Sequence, residues 1–338
     1  MLIPHRNVTR VDVARYAGVS TAVVSYVVNG GPRQVSPDTA AKVREAMRVL
    51  RYQPNLNARA LKRGSSQMLG LILIDSMNSF FTELTLAIEA AAAARGQRIL
   101  AADSHGDPDL EEQLMTELLG RRVDGLLLVS SFRRDAAGAP RPDDGTPVVL
   151  LDCPAPVPGW HTIGPDARSG AVSAVQHLIS EHRRRRVGMV IGPEGFATPD
   201  PRELGWQRCL QEAGLPRGPI AVDEWSPAGG YRATRELLGV SPVPDSIFVS
   251  SDAQAVGVLH ALHEAGVDVI RDCPVVSFDG TQSGSWTWPT LTSARQPVEA
   301  MAERALELVH DKSSPPSHHM FDVDLVIRAS CGCQPHTI

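Results

Sequence analysis

Acidic and aromatic side chains come directly after apolar runs of strand length in the larger, C-terminal part of the chain. Asp103, Asp152 and Asp279 each follow such a run. Carboxylates accept hydrogen bonds from hydroxyl groups, and aromatic rings such as that of Trp225 stack on the apolar faces of other rings. These residue types are typical of a site for a sugar, and they suit a nucleobase as well.

The predicted strands and helices indicate where these residues lie in the fold. From residue 68 the chain alternates strand and helix, beginning with a strand at Leu69–Ile74 and a helix at Phe81–Arg95, and a second such series follows Asp166. Two βαβ series predict two lobes with parallel sheets. Because ligands in such sheets bind at the carboxyl ends of the strands, we expect a small-molecule site in the cleft between the lobes.

The sequence lacks the motifs of common catalytic sites. It has no G-x-G-x-x-G after a strand, no phosphate-binding loop and no G-x-S-x-G. His260, His263 and Glu264 lack H-E-x-x-H spacing and are expected on a solvated helix face. Cys331 and Cys333 stand isolated near the C-terminus, so no metal site is expected there. We therefore expect no catalysis, no cofactor and no metal; an α/β enzyme acting on sugars remains the alternative.

Composition limits the class of protein. The 338 residues, 43% of them apolar, suffice for two or three domains. The N-terminus has no apolar signal-peptide core, and the run Leu69–Ile74 is far shorter than the ~20 residues of a membrane-spanning helix. Five cysteines without a C-x-x-C pair indicate reduced thiols. We expect a cytoplasmic protein with no membrane partner.

The charge is distributed unevenly along the chain. Residues 1–66 contain eleven Lys and Arg but only three acidic residues, a net charge of +8, whereas the remainder carries 22 basic and 35 acidic residues, a net charge of −13. A basic head on an acidic body is typical of a protein that binds a polyanion. A solvated basic face is the alternative that charge alone leaves open.

The basic head predicts three short helices. Thr9-Arg10-Val11-Asp12 has capping-box spacing, and Gly18 suits the left-handed backbone at the end of the first helix. Ser20 caps a second helix, which ends at Asn29-Gly30-Gly31-Pro32, and Ser36-Pro37 starts a third. This order and the short glycine turn indicate a helix-turn-helix that binds double-stranded DNA. A DNA-architectural protein that binds no ligand is a second alternative.

The head resembles the opening of the lactose/galactose repressor (LacI/GalR) family of transcription factors. The segments that carry the resemblance are VTRVDVARYAGVS at 8–20, TAVVSYVVNG at 21–30, Val35-Ser36 and RYQPN at 51–55. The resemblance covers nearly the whole chain. It implies a transcriptional regulator, most often a repressor, that binds two-fold related operator half-sites as a homodimer and responds to a small-molecule effector.

The resemblance implies DNA-contacting residues in two segments. The second helix would enter the major groove, with Thr21, Ala22 and Tyr26 at base edges and Ser20, Ser25 and Asn29 at phosphates. Residues 54–63 match the hinge helix of the family, where Leu61 would wedge into the minor groove beside Lys62 and kink the duplex.

The resemblance also implies a set of effector-binding residues. Arg202 begins a match to the R-x-x-G-aromatic motif, and Gln296 lies near a crossing between the lobes. The full expected set is Phe80, Phe81, Asp103, Asp152, Arg202, Trp225, Ser251, Asp279 and Gln296. Ser79 stands where relatives carry proline and Ser251 where asparagine is frequent, so we expect a sugar effector that differs from those of the best-known members.

The expected fold is a small all-α helix-turn-helix head joined to a two-lobed α/β core like that of periplasmic binding proteins, with parallel sheets. The head would span residues 1–53, and the hinge helix and linker 54–67. The N-terminal lobe would comprise 68–165 plus 296–322, and the C-terminal lobe 166–295 plus 323–338.

Overall fold

The computed structural model describes residues 8–29, 34–53, 64–130, 145–193, 199–311 and 313–334. The chain divides into two compact units, Met1–Ser66 and Gln67–Ile338. The expected hinge helix, residues 54–63, lies outside the described residues, and with it Leu61 and Lys62.

The N-terminal unit contains the three expected helices: α1 (Arg10–Ala17), α2 (Thr21–Asn29) and α3 (Pro37–Val49). Their ends follow the caps in the sequence. The Asp12 carboxylate accepts the Thr9 backbone N–H at 2.9 Å, Gly18 has a φ of 65°, and Ser36 Oγ accepts the Thr39 N–H at 3.3 Å. A small core that includes Val13, Val24 and Val43, one from each helix, holds the unit together.

The first sheet of the larger unit has six parallel strands in the order β11-β5-β4-β3-β1-β2. Helices α4, α5 and α10 belong to this lobe, and α10 packs through Met301 and Leu306 against the core on one face of the sheet. The elements are β1 (Met68–Leu73), α4 (Ser79–Ala94), β2 (Arg98–Asp103), α5 (Pro108–Gly120), β3 (Leu126–Val129), β4 (Val148–Leu151), β5 (His161–Pro165), α10 (Val298–His310) and β11 (His318–Phe321).

The second sheet also has six strands, in the order β12-β10-β9-β8-β6-β7. All pairs are parallel except the edge pair β10 and β12, which is antiparallel. The elements are α6 (Ala167–Ser180), β6 (Val187–Ile191), α7 (Pro201–Glu212), β7 (Ile220–Val222), α8 (Pro227–Gly239), β8 (Ser246–Val249), α9 (Asp252–Glu264), β9 (Val275–Asp279), a 3-10 helix (Gln282–Trp286), β10 (Thr292–Arg295) and β12 (Asp324–Val326).

The chain crosses between the two sheets three times: after β5, after β10 and between β11 and β12. The strands next to these crossings are the ones that the sequence pattern misses. β5 and β10 have no apolar run of strand length in the sequence, and β11 begins with two histidines, His318 and His319. Gln296 comes directly after β10, so it lies on a crossing segment.

Apolar clusters cover both faces of each sheet, as two parallel sheets flanked by helices require. Leu69 and Leu71 face one side of β1, and Ile72 faces the other. In the part of the chain that the structure describes, no helix is long and apolar enough to cross a membrane.

Candidate functional site

Arg202, near the start of α7, is the centre of a charged group that is about four-fifths buried. Its Nε donates to Asp200 Oδ1 at 3.0 Å, its Nη2 to Asp200 Oδ2 at 2.9 Å and its Nη1 to the Ser250 carbonyl at 3.0 Å. Asp200 also caps α7 by accepting the Arg202 N–H at 2.8 Å. Since a guanidinium has five N–H groups, two remain for a ligand.

Aromatic rings enclose this guanidinium. The Arg202 Cζ lies 4.6 Å from the centre of the Trp225 ring and 5.4 Å from that of Phe278. The Trp225 ring fits closely because residue 192 is glycine: a Cβ there would lie 1.9 Å from the ring. The site therefore fixes the cation by a bidentate carboxylate and by two rings that attract it.

Asp279 and Gln296 extend the group toward the crossing after β10. Gln296 Nε2 donates to Asp279 Oδ1 at 3.0 Å, and the Asp252 N–H donates to Oδ2 at 3.3 Å. Asp279 has a φ of 105°, a strained conformation for a residue with a Cβ. Among the described residues the Gln296 Oε1 is a buried acceptor without a hydrogen-bond partner. A ligand donor at that atom would relieve the cost of leaving it unpaired.

Asp152, after β4, is the expected site residue of the first lobe that joins this group. It has a positive φ of 52° and is half-buried. Burial raises the pKa of Asp152 to about 6, although the charge of Arg202 opposes the rise. Burial and then the charge of Asp252 raise the pKa of Asp279 well above its ordinary value. The structure therefore brings Asp152, Arg202 and Asp279 into one electrostatic group, as the strand-end pattern implies.

Three other expected residues of the first lobe are engaged in packing and turns. Phe80 and Phe81 are buried in the core against the sheet, with ring centres 5.1 Å apart. Asp103 accepts the Ser76 N–H at 2.6 Å and the His105 N–H at 2.8 Å, so it holds two loops together. Burial raises the pKa of Asp103, but hydrogen bonds from the Ser76 side chain and from the backbone of His105 and Ser76 outweigh it, so the net pKa is lowered.

Ser251 is likewise occupied: it caps α9 by accepting the Gln254 N–H at 3.2 Å. The residue beside it, Asp252, was not expected in the site. Its carboxylate accepts hydrogen bonds from the side chains of Ser277 at 2.5 Å and Ser293 at 2.7 Å. It also accepts the backbone N–H of Thr281 at 2.6 Å and the Thr281 hydroxyl at 2.8 Å. With these four hydrogen bonds, the Asp252 carboxylate links the start of α9 to β9, to β10 and to the segment after β9.

Polar contacts join the two lobes beside Asp252. Ser283 Oγ donates to Ser79 Oγ at 3.3 Å, and the Gln282 N–H donates to Glu83 Oε1 at 2.7 Å. Ser79 and Glu83 lie on α4 of the first lobe, whereas residues 282 and 283 belong to the second. Burial raises the pKa of Glu83. A carboxylate on α4 thus contributes to contact between the lobes.

A shallow depression of about 460 Å³ spans the same junction. Met77, Leu86 and Trp286 lie around it, and Trp286 is 83% exposed. Trp288, two residues further along the chain, is 92% exposed. Exposed Met and Trp side chains grouped at one junction are typical of a surface that contacts a partner.

The expected DNA-reading residues of the head lie on or before α2. Ser20, Thr21, Ala22 and Asn29 are exposed, and Ser25 and Tyr26 are partly exposed. Ser20 Oγ accepts the Val23 N–H at 3.3 Å, and Ser25 Oγ accepts from Asn29 Nδ2 at 3.3 Å. Thr21 and Ala22 begin the helix and present short side chains, which suits close approach to base edges.

The expectation that Cys331 and Cys333 are isolated from other metal-binding side chains is wrong. The two cysteines do not stand alone, because His177 and His182 lie beside them. One ligand atom from each of the four residues lies within 4.8 Å of all the others. By contrast, His260 and His263 are exposed on α9, as expected.

Comparison with known proteins identifies the family. Residues 10–55 match bacterial regulatory proteins of the lacI family, and residues 175–331 match a periplasmic binding protein-like domain. The ribose operon repressor of Escherichia coli (strain K12) is 32% identical over 312 residues, which cover 91% of this chain and 94% of the repressor. The chain belongs to the LacI family. Catabolite control protein A of Priestia megaterium is 33% identical over 306 residues, 90% of this chain and 92% of that protein.

Solved structures of LacI-family proteins share the fold. The lac repressor dimer bound to operator and the anti-inducer ONPF has a TM-score of 0.83 at 27% identity, over 96% of this chain and 99% of the repressor. The transcriptional regulator CelR in complex with cellobiose has a TM-score of 0.71 at 28% identity, over 96% and 99% of the chains. The expected fold and family are confirmed. This LacI-family chain is a DNA-binding regulator with a ligand-binding domain, and not an enzyme.

Proposed function

We propose that this LacI-family regulator is a homodimeric repressor whose operator affinity responds to a sugar bound between the two lobes. The observation that carries the proposal is the polar group of Asp152, Arg202, Asp279 and Gln296, in which Asp279 and Gln296 are buried and Gln296 has an unpaired acceptor. Two carboxylates, the free N–H groups of a guanidinium and an amide oxygen match the mixed donors and acceptors of vicinal hydroxyls.

Two relatives support a sugar as the effector class. One is named a ribose operon repressor, and a structural neighbour was solved with cellobiose. The purine repressor PurR of Photorhabdus laumondii is also similar, at 31% identity over 309 residues. In this chain, however, one face of the Trp225 ring already stacks on Arg202 and is not available to stack on a base, and the carboxylates of the site suit the several hydroxyl donors of a sugar.

In this proposal the head and the hinge helix bind the operator DNA. Thr21, Ala22 and Tyr26 would meet base edges, while Ser20, Ser25 and Asn29 would meet phosphates. Leu61 would insert into the minor groove beside Lys62. For the domains we retain the boundaries expected from the sequence: the head at residues 1–53, the hinge helix and linker at 54–67, and the two lobes after them. As a regulator that binds DNA, the protein would act in the cytoplasm.

The exposed apolar side chains at the lobe junction provide the surface for a second copy. Met77 and Trp286 project beside α4, and a two-fold dimer would cover them and place two heads on two half-sites. The lac repressor structure, which shares the fold, is a dimer on its operator.

The test is calorimetric titration of the full chain with D-ribose, D-galactose, cellobiose and hypoxanthine. A sugar should bind, and Asp279→Ala should lower its affinity at least about tenfold, because a hydrogen bond to a charged group contributes roughly 1.5–3 kcal/mol. Asp109→Ala, an exposed carboxylate on α5, is the matched control. Binding of hypoxanthine alone would contradict the sugar assignment.

Coupling to DNA is tested with the sugar that binds. If the sugar weakens operator binding by some factor, operator must weaken sugar binding by the same factor. Titrations with and without operator DNA measure this directly. Equal sugar affinities in the two titrations would remove the regulatory mechanism.

A further inference from the structure

Two imidazoles and two thiols converge behind the second sheet, on the side of α6. His177 lies in the last turn of α6 and His182 follows shortly after that helix, while Cys331 and Cys333 lie in the segment after β12. The Nε2 atoms of the two histidines are 3.2 Å apart. Cys333 Sγ lies 3.5 Å from His177 Nε2 and 3.3 Å from His182 Nε2.

These spacings fit one tetrahedral ion. With Zn–N and Zn–S bonds of about 2.0–2.3 Å, the ligand atoms of a tetrahedral zinc site are roughly 3.3–3.8 Å apart. Three of the measured spacings are 3.2, 3.3 and 3.5 Å, and the whole set lies within 4.8 Å. The spacings to Cys331 are no longer than 4.8 Å, so a small adjustment of side chains would bring all four atoms to tetrahedral distances.

We propose that His177, His182, Cys331 and Cys333 form a structural Zn²⁺ site. Two imidazoles with two thiolates in a tetrahedral arrangement select zinc over the oxygen-preferring cations. All four ligands come from the protein, and Cys331 is fully buried, so the site is closed in the manner of structural zinc rather than open in the manner of catalytic zinc.

The backbone around the cysteines is already held in place. Ser330 Oγ accepts the Thr292 N–H at 2.8 Å and donates to the Val275 carbonyl at 2.7 Å. Ser330 also accepts the Val275 N–H at its own carbonyl, at 2.9 Å. The residue before the first thiol is thus fixed to β9 and β10, which lowers the entropy cost of assembling a metal site.

Gly332 makes the close approach of the two cysteines to His182 possible. Its φ is +100°, and a Cβ there would lie 3.1 Å from the Ile270 carbonyl and 3.3 Å from His182 Nδ1. A side chain at this position would therefore be strained and would crowd the ring. Zinc in this site would tie the segment after β12 to the end of α6.

The test uses the full chain, reduced and stripped with a chelator, then incubated with Zn²⁺ and desalted. Zinc counted by mass spectrometry should reach one ion per chain, and Co²⁺ should give the intense visible bands and thiolate charge-transfer absorption of a tetrahedral site. Cys333→Ser should lower zinc affinity by more than the roughly 10–100-fold that an outer-shell change costs, because a ligand itself is lost.

Matched controls separate the site from general thiol and imidazole binding. Cys273→Ser changes a buried cysteine on another part of the chain, and His263→Gln an exposed histidine; both should retain one zinc. Circular dichroism should show that Cys333→Ser, at a half-buried position, remains folded. Substoichiometric zinc in the reduced wild type, an octahedral cobalt spectrum, or unchanged affinity in Cys333→Ser would each overturn the proposal. No readout involves DNA or sugar, so the outcome is independent of the proposed regulatory function.

Discussion

The two lobes are built alike but contribute differently to the candidate effector site. Each has a six-stranded sheet with helices on both faces, and each ends several strands in polar residues. The second lobe supplies Arg202, Asp200 and Asp279, all held by hydrogen bonds to one another or to their neighbours. From the first lobe, Asp152 alone of the expected acidic residues influences the Arg202 group.

This difference shows that a residue at the end of a strand lies near the ligand site, but that its side chain can bind a ligand only if no neighbouring group already occupies it. Asp103 is the last residue of β2, much as Asp152 directly follows β4, yet its carboxylate accepts two backbone N–H groups and holds the adjoining loops together. A second lobe that fixes the ligand and a first lobe that closes over it would make affinity depend mainly on the second.

The largest expected effect is that of Arg202→Ala. Removal of the guanidinium leaves Asp200 and Asp279 buried without their cation, which should lower the free energy of unfolding of the core by about 3–5 kcal/mol. Denaturant unfolding followed by tryptophan fluorescence measures this loss.

Arg208→Ala is the control for that substitution. Arg208 lies on the same helix, but its side chain is 53% exposed, against 20% for Arg202, and its partner Glu212 is also exposed. The loss there should be below about 1 kcal/mol, because exposed ion pairs contribute little. Equal losses in the two variants would mean that the second lobe does not hold a buried charge group.

Much of the fold could be predicted from the sequence because the two βαβ series carry strong periodic signals. The strands that the pattern missed, β5 and β10, are four or five residues long and adjoin the crossings between lobes. β5 contains His161, Gly164 and Pro165, and β10 contains Thr292 and Ser293. Their polar and turn-forming residues conceal strands whose pairing is fixed by tertiary contacts and not by local propensity.

The candidate site was predictable only in part. Arg202 and Asp279 could be selected by residue type and position, but Asp252 could not, because its use depends on Ser277, Thr281 and Ser293, which are distant in sequence. Likewise, the spacing of Cys331 and Cys333 alone gives no sign of two histidines about 150 residues earlier. Short-range patterns carry no information on such long-range convergence.

The pH dependence of stability tests whether Asp152 belongs to the charged group around Arg202. The pKa of Asp152 is about 6 in the folded chain against an ordinary value of 3.8. Between these values the folded state binds more protons than the unfolded state, so stability should fall as pH rises from about 4 to about 6, by about 1–3 kcal/mol. Unfolding midpoints across this range should show a smaller slope in Asp152→Asn. Asp109→Asn should retain the wild-type slope, and the same slope in all three proteins would remove Asp152 from the buried group.

The third prediction asks whether the first-lobe aromatic residues bind the ligand or only pack. Phe81 is buried against the sheet of the first lobe, so Phe81→Leu should lower the free energy of unfolding by about 1–2 kcal/mol through lost packing. The calorimetric affinity for the sugar should stay within about threefold of wild type, a change of less than 1 kcal/mol. A tenfold loss of affinity would place the ring at the ligand and weaken the contrast between the lobes.

The smallest expected effect is that of Asp103→Asn, which tests the contrast between two carboxylates at equivalent strand ends. The amide keeps one acceptor oxygen but turns an NH₂ group toward either the Ser76 or the His105 N–H, so one hydrogen bond is lost. That loss should lower the free energy of unfolding by about 0.5–1.5 kcal/mol. Because Asp103 serves the loops and not the ligand, the affinity for the sugar should not change. Asp152→Asn is the matched comparison: the same substitution at the other strand end should weaken sugar binding, since it alters the group around Arg202. If Asp103→Asn weakened sugar binding as much as Asp152→Asn does, both strand ends of the first lobe would take part in recognition, and the second lobe would no longer dominate the site.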